Sequence, residues 1–161
     1  MEPALAALPE LALRAAVALL CGAVIGLNRD LHHKGAGLRT FSLVALGTAG
    51  VTMGMMLAMA PAPDNVGRVA QGVLTGIGFL GAGVILRGSD GAHVTGLTTA
   101  AAIWFTSGVA LLCGLGQLKL VGLLMALALL VLIGGGPVER AFERLLGRED
   151  PAADATPPPR D

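Results

Sequence analysis

L-V-G-L-L-M-A-L-A-L-L-V-L-I-G-G-G, from Leu120 to Gly136, runs for 17 residues without a charged or strongly polar side chain. Such a run approaches the ~20 residues that an α-helix needs to cross a ~30 Å hydrocarbon core. A soluble helix of that length would leave one face in water, where uninterrupted leucine is costly. Moving outward from it, four more blocks of similar character can be drawn. The five expected spans are about 9–27, 38–59, 66–86, 96–115 and 118–136.

Composition agrees. Of the 161 residues, 54% are hydrophobic and only 14% charged, whereas soluble domains average about 45–50% and about 25%. The breaks between spans are short: N-R-D-L-H-H-K-G-A-G, P-A-P-D-N, R-G-S-D-G-A-H and G-Q-L-K. Consecutive helices are therefore antiparallel neighbours, and the expected fold is an all-α integral membrane protein, a compact bundle of about five transmembrane helices. Residues 1–137 form the membrane domain, and residues 138–161 form a short amphipathic segment followed by a disordered cytoplasmic tail of Pro, Ala and Asp. The first apolar run is flanked by Glu2 and Glu10 rather than by the positive n-region of a signal peptide, so it is expected to remain in the membrane.

Lys and Arg collect on the cytoplasmic side of membrane proteins. Arg29, Lys34, Arg39, Arg87, Arg140, Arg144, Arg148 and Arg160 fall on one side of the five-span arrangement, and only Arg14, Arg68 and Lys119 on the other. That bias predicts an outside N-terminus and a cytoplasmic C-terminus. A four-span alternative demotes one weak segment, the Arg68/Gln71-bearing third or the last, and puts both ends on one side.

G-I-G-F-L-G-A-G, Gly76 to Gly83, formally contains the G-x-G-x-x-G of a dinucleotide site. That motif carries chemistry only between a strand and a helix of a βαβ unit, and here it lies within an apolar span. Close helix packing is the favoured reading for Gly72, Gly76, Gly78, Gly81 and Gly83, with Gly22/Gly26 and Gly50/Gly54 offering the same G-x-x-x-G spacing elsewhere. A helix break whose freed carbonyls line a cavity is the functional alternative.

Ionisable groups near the bilayer are expensive and so are candidate functional residues. Asn28, Arg29 and Asp30 end the first span, and Arg39 and Thr40 open the second, making a polar corner in which Asp30 is expected to pair with Arg29 or Arg39 or to attract a cation. Within the spans, Arg14 is expected to snorkel or to find a partner. Arg68 and Gln71 share a face, with Gln71 placed for an interhelical hydrogen bond. Thr95 is a candidate helix cap, while Thr98 and Thr99 can reach a neighbouring helix. Trp104, deep in its span, is read as a packing residue. Neighbouring His32 and His33 lack the convergence that a metal site needs, and Cys21 and Cys113 are read as small buried residues. No cofactor is expected, and whether a metal binds is left open. Zero formal net charge, with four Phe, one Trp and no Tyr, argues against nucleic acid. No nucleophile, base and orienting group converge, so no enzyme is expected.

In order and spacing, A-V-I-G-L-N-R-D with K-G-A-G-L-R-T-F-S-L-V-A-L-G, then G-I-G-F-L-G-A-G-V-I-L-R, then V-T-G-L-T-T-A-A-A-I-W, the chain resembles the membrane domain of the MgtC/SapB family over residues 11–116. The resemblance implies a bacterial inner-membrane protein associated with magnesium homeostasis and, in some members, with restraint of the proton-translocating ATP synthase. Where that family commonly has G-L-E-R-E, this chain has Gly26-Leu27-Asn28-Arg29-Asp30, which weakens a cation role for the corner. Ligand sensing through the soluble C-terminal domain of some members is not carried over.

Two functions compete: a regulator that contacts a membrane-protein partner or a second copy, and a Mg²⁺ or other ion transporter or channel component. Mg²⁺ is usually held by carboxylates and retained waters. Asp30, Asp64 and Asp90 all lie at span edges, and no acid falls mid-span. The regulatory reading is therefore favoured.

Overall fold

The computed structural model describes residues 8–58, 63–87 and 94–146. Its helices are α1 (Leu8–Leu31), α2 (Leu38–Ala58), α3 (Pro63–Val84), α4 (Leu97–Gly114) and α5 (Leu118–Leu145). Between α3 and α4, β1 (Leu86–Arg87) pairs antiparallel with β2 (Val94–Thr95), Leu86 opposite Thr95, a small exception to the all-α expectation. Four helices, α1, α2, α4 and residues Leu118–Val138 of α5, are long and apolar enough to cross a membrane. The expected third span is helical, but Asp64, Arg68, Gln71 and six glycines dilute α3, and it is not among those four.

The chain divides into two units, Met1–Met125 and Ala126–Asp161. Within the first, α4 is the centre: it packs against α1, α2 and α3, while α1 and α2 pack against each other. The buried positions of α1 are Ala18, Cys21, Gly22, Ile25, Gly26 and Arg29, a stripe at alternating three- and one-residue steps. Those of α2, Phe41, Ala45, Thr48, Ala49, Thr52 and Met53, form a matching stripe. Large residues point the other way: Leu13, Leu20, Leu27, Leu43, Val51 and Leu57 are all exposed. Small residues inside and leucine outside is the pattern of helices solvated by lipid, where close backbone packing replaces hydrophobic collapse as the cohesive force. Trp104, expected to pack, also faces outward.

Close approach depends on particular glycines. A Cβ on Gly22 would press into the Phe41 carbonyl and lie 2.8 Å from Ala45 Cβ, and one on Gly26 would lie 2.7 Å from Leu38 Cα. Gly114 plays the same part between α4 and α2, where a Cβ would lie 2.7 Å from Thr52 Cβ. On α3, a Cβ on Gly81 would lie 3.7 Å from Ala100 Cβ, an ordinary contact. Gly72, Gly76, Gly78 and Gly83 have no other group within 4 Å of where a Cβ would stand, nor do Gly50 and Gly54. The packing expected at the third helix's glycine face is thus not made among the described residues, because α3 meets α4 along its other side.

α5 begins in the first unit, where Val121 and Met125 are buried. In the second unit, the helix runs unbroken through Pro137 to Leu145, so the expected boundary at residue 137 is not a break in secondary structure. Pro137 removes one backbone donor and crowds the preceding turn. Gly134, Gly135 and Gly136, which have no Cβ, fill that turn. Val138, Phe142, Leu145 and Leu146 are exposed. The tail expected to be disordered, from Pro151 onward, lies outside the described residues, as do residues 147–150, Asp90 and His93.

Candidate functional site

The polar corner is organised by helix ends. α1 closes with the Lys34 amide donating to the Arg29 carbonyl (3.1 Å) and the His33 amide to that of Asp30 (2.9 Å). This is a Schellman closure, with His33 in the left-handed conformation (φ 51°) that such a closure requires. His32 Nδ1 lies 2.7 Å from the Asn28 carbonyl. Both histidines are exposed. Six residues later α2 starts, and the Asp30 carboxylate accepts its first helical amide, Leu38 N, at 2.9 Å. Asp30 is therefore a helix cap supplied from the preceding helix, and Gly37 is the residue that leaves it room, since any side chain there would overlap the carboxylate. The expected ion pair between Asp30 and Arg29 or Arg39 is not present: among the described residues, the one ion pair is Arg14 with Glu10. Arg39 and Thr40 are exposed on the outer side of α2.

Arg29 turns inward. It continues the buried stripe of α1, three residues beyond Gly26, and is 5% exposed. Nη2 donates to Thr99 Oγ1 at 3.1 Å, joining α1 to the first turn of α4. Nε is buried without a hydrogen-bond partner, as is Asn28 Oδ1 one residue earlier. The N-cap of α4 is Gly96, not the expected Thr95; at φ 89°, with the Val84 carbonyl against its α-carbon, it has no room for a side chain and provides no side-chain cap. Thr98 is exposed and Thr99 buried. The result is a buried guanidinium held by one neutral acceptor at the amino end of a helix. Among the described residues, no three His, Cys, Asp or Glu side chains converge as a metal site would require. A centre of this kind attracts anions or hydrogen-bond acceptors, and it repels Mg²⁺.

Arg14 does at the opposite end of α4 what Asp30 does for α2. Its Nη1 donates to the Gly114 carbonyl at 2.9 Å, its Nη2 meets Glu10, and the absence of a side chain at Gly116 (φ 78°) leaves space for the guanidinium. A cation at a helix carboxyl end is favourably placed. Of the two expectations for Arg14, the paired one holds. Beside it a cavity of about 170 Å³ is lined by Glu10, Leu11, Arg14, Met53, Met56 and Leu57. Arg68 and Gln71 are exposed on α3, and Gln71 forms no interhelical hydrogen bond among the described residues.

Two relationships were not anticipated from the sequence. Cys21 and Cys113, 92 positions apart, are both buried, one on each of the packed helices α1 and α4. Arg29 finds Thr99 rather than a nearby acid. One signal for the second was available: Arg29 stands seven residues after Gly22 and three after Gly26, so it shares the face that those glycines reserve for a neighbouring helix.

Small residues within, leucine without and a buried guanidinium, alone of its kind among the described residues, define a multi-pass helical membrane protein with a positive polar centre. The chain belongs to the MgtC family, which matches residues 15–141. It is 49% identical over 102 residues to Protein MgtC of Salmonella typhimurium (strain LT2), covering 63% of this chain and 42% of that protein. With Protein MgtC of Brucella abortus (strain 2308) it shares 42% over 102 residues, 63% of this chain and 41% of the relative. Protein SrpB of Synechococcus elongatus is 42% identical over 157 residues, covering 86% of this chain and 85% of SrpB. The chain thus spans about two-fifths of the MgtC proteins that it matches and most of SrpB. No solved structure matches it.

Proposed function

We propose that this protein resides in the bacterial inner membrane, contributes to magnesium homeostasis, and acts by regulating a membrane-protein partner, for which the proton-translocating ATP synthase is the first candidate. The observation that carries this reading is the bare face of α3. Gly72 and Gly76, at G-x-x-x-G spacing, with Gly83 beyond, form a surface suited to close helix approach, and none of the described residues lies on it. The sign of the polar centre supports regulation over Mg²⁺ conduction, because a buried guanidinium opposes a divalent cation on its path.

In this reading α3 crosses with its neighbours. It lies along α4, itself apolar enough to span, and its exposed Phe79 and Leu80 suit lipid. Five crossings and the Lys/Arg bias then place the N-terminus outside and the C-terminus in the cytoplasm. An impermeant thiol reagent added to intact cells should fail to label a cysteine at position 33 in a protein lacking Cys21 and Cys113.

The test of function is ATP-driven proton pumping in inverted membrane vesicles, with the protein present or absent at limiting Mg²⁺. Pumping should fall when the protein is present and recover with Gly76→Leu at equal protein level. Unchanged pumping, together with Mg²⁺ flux into proteoliposomes that hold only this protein, would establish the transporter alternative.

A further inference from the structure

We propose that Arg29 and the amino end of α4 form a binding site for a phosphate-bearing anion, supplied by an anionic phospholipid headgroup or by free phosphate.

Three observations converge there. Arg29 is 5% exposed, and its Nε is fully buried with no hydrogen-bond partner. Its guanidinium is drawn to Thr99 Oγ1, in the first turn of an 18-residue helix whose N-cap, Gly96, contributes no side-chain oxygen to the free amides. The helix amino end carries the positive pole of the macrodipole, equivalent to about half a charge, so a guanidinium beside it is the unfavourable arrangement unless an anion lies between them. The dipole of α1 favours Arg29 in its last turn. The Arg29 and Asp30 carbonyls at that end, however, already accept the Lys34 and His33 amides. Among the described residues no acid is paired with Arg29.

A tetrahedral oxyanion answers each of these features. It accepts charge-assisted hydrogen bonds from the unoccupied guanidinium edge, from the first-turn amides of α4 and from the Thr99 hydroxyl, and it neutralises the charge. Arg29 stands two residues before the end of α1, at the depth where a span meets the headgroups, and the following loop and the start of α2 carry the exposed cations Lys34 and Arg39. Basic pockets between helix ends of this kind hold anionic headgroups.

Thermal unfolding of the purified full-length protein in neutral detergent tests the proposal. One arm compares dioctanoyl phosphatidylglycerol with dioctanoyl phosphatidylcholine, and the other compares sodium phosphate with sodium chloride at equal ionic strength. Saturating phosphatidylglycerol should raise the Tm by about 4 °C relative to phosphatidylcholine. A rise with the lipid alone assigns a headgroup, and a rise in both arms assigns the phosphate group itself. Arg29→Gln should abolish the response and the exposed Arg39→Gln should keep it. Should Arg29→Gln fail to fold, Thr99→Val, which keeps the branched shape and removes only the hydroxyl, should bind at least ~5-fold more weakly, a loss of about 1 kcal/mol. No rise in the parent protein, or a response in Thr99→Val equal to the parent's, overturns the proposal.

Discussion

Asp30 shows how a carboxylate at a membrane surface can serve geometry rather than chemistry. Its oxygen accepts the Leu38 amide across the loop, so it satisfies a donor that the start of α2 would otherwise leave to solvent. Asn caps helices about as well as Asp, while Ala does not, at a cost of about 1 kcal/mol. Asp30→Ala is therefore expected to lower detergent stability by that amount, and Asp30→Asn to leave it within a few tenths of a kcal/mol. Because Arg39 is not its partner, reversing the charge at Arg39 should not alter either result. A stability loss with Asp30→Asn as large as with Asp30→Ala would return the residue to an ion-pair role. Thr106 Oγ1, buried in α4 without a hydrogen-bond partner, has no counterpart explanation in this structure.

Among the elements, two helices carry glycine pairs that look alike on paper and differ in use. Gly22 and Gly26 of α1 touch the backbone of α2, so a side chain there must push the two helices apart. Overpacking of that kind costs about 1–3 kcal/mol. Gly76 of α3 meets nothing among the described residues. Gly22→Leu should accordingly lose several degrees of thermal stability in detergent, while Gly76→Leu keeps the parental value and is defective only where a partner is present. Equal losses for the two would mean that the α3 face is already packed in the isolated protein.

In the whole molecule, the arrangement of α1 against α4 is the feature most open to a direct check, because two buried thiols report on it. Cys21 and Cys113 are both buried on helices that pack against each other, so an approach of the two thiols closes a disulfide. Oxidation by molecular oxygen with copper-phenanthroline removes two electrons and two protons from the pair. It should yield an intramolecular bond, seen as faster migration on a non-reducing gel and absent in Cys113→Ser. Unchanged migration of the parent protein under conditions that oxidise exposed thiols would place the two helices farther apart.

The sequence by itself determined the five helices and most of their boundaries to within about four residues, the end of α5 excepted, which runs on to Leu145 past the expected 136, since uninterrupted apolar runs, short charged breaks and the cost of an unpaired backbone in lipid leave few alternatives. It also marked Asn28, Arg29 and Asp30 as the polar corner and supplied the family resemblance. The tertiary structure alone decided which way each residue turns. Asp30 caps α2 because the Schellman closure at His33 folds the chain back over it. Arg29 meets Thr99 because α4, fourth among the helices, lies between α1 and α3. Gly76 stays bare because α3 meets α4 along its other side. Such outcomes depend on contacts between residues up to 100 positions apart, as in Arg14 with Gly114, and no local pattern of polarity encodes which faces of several small-residue helices will meet.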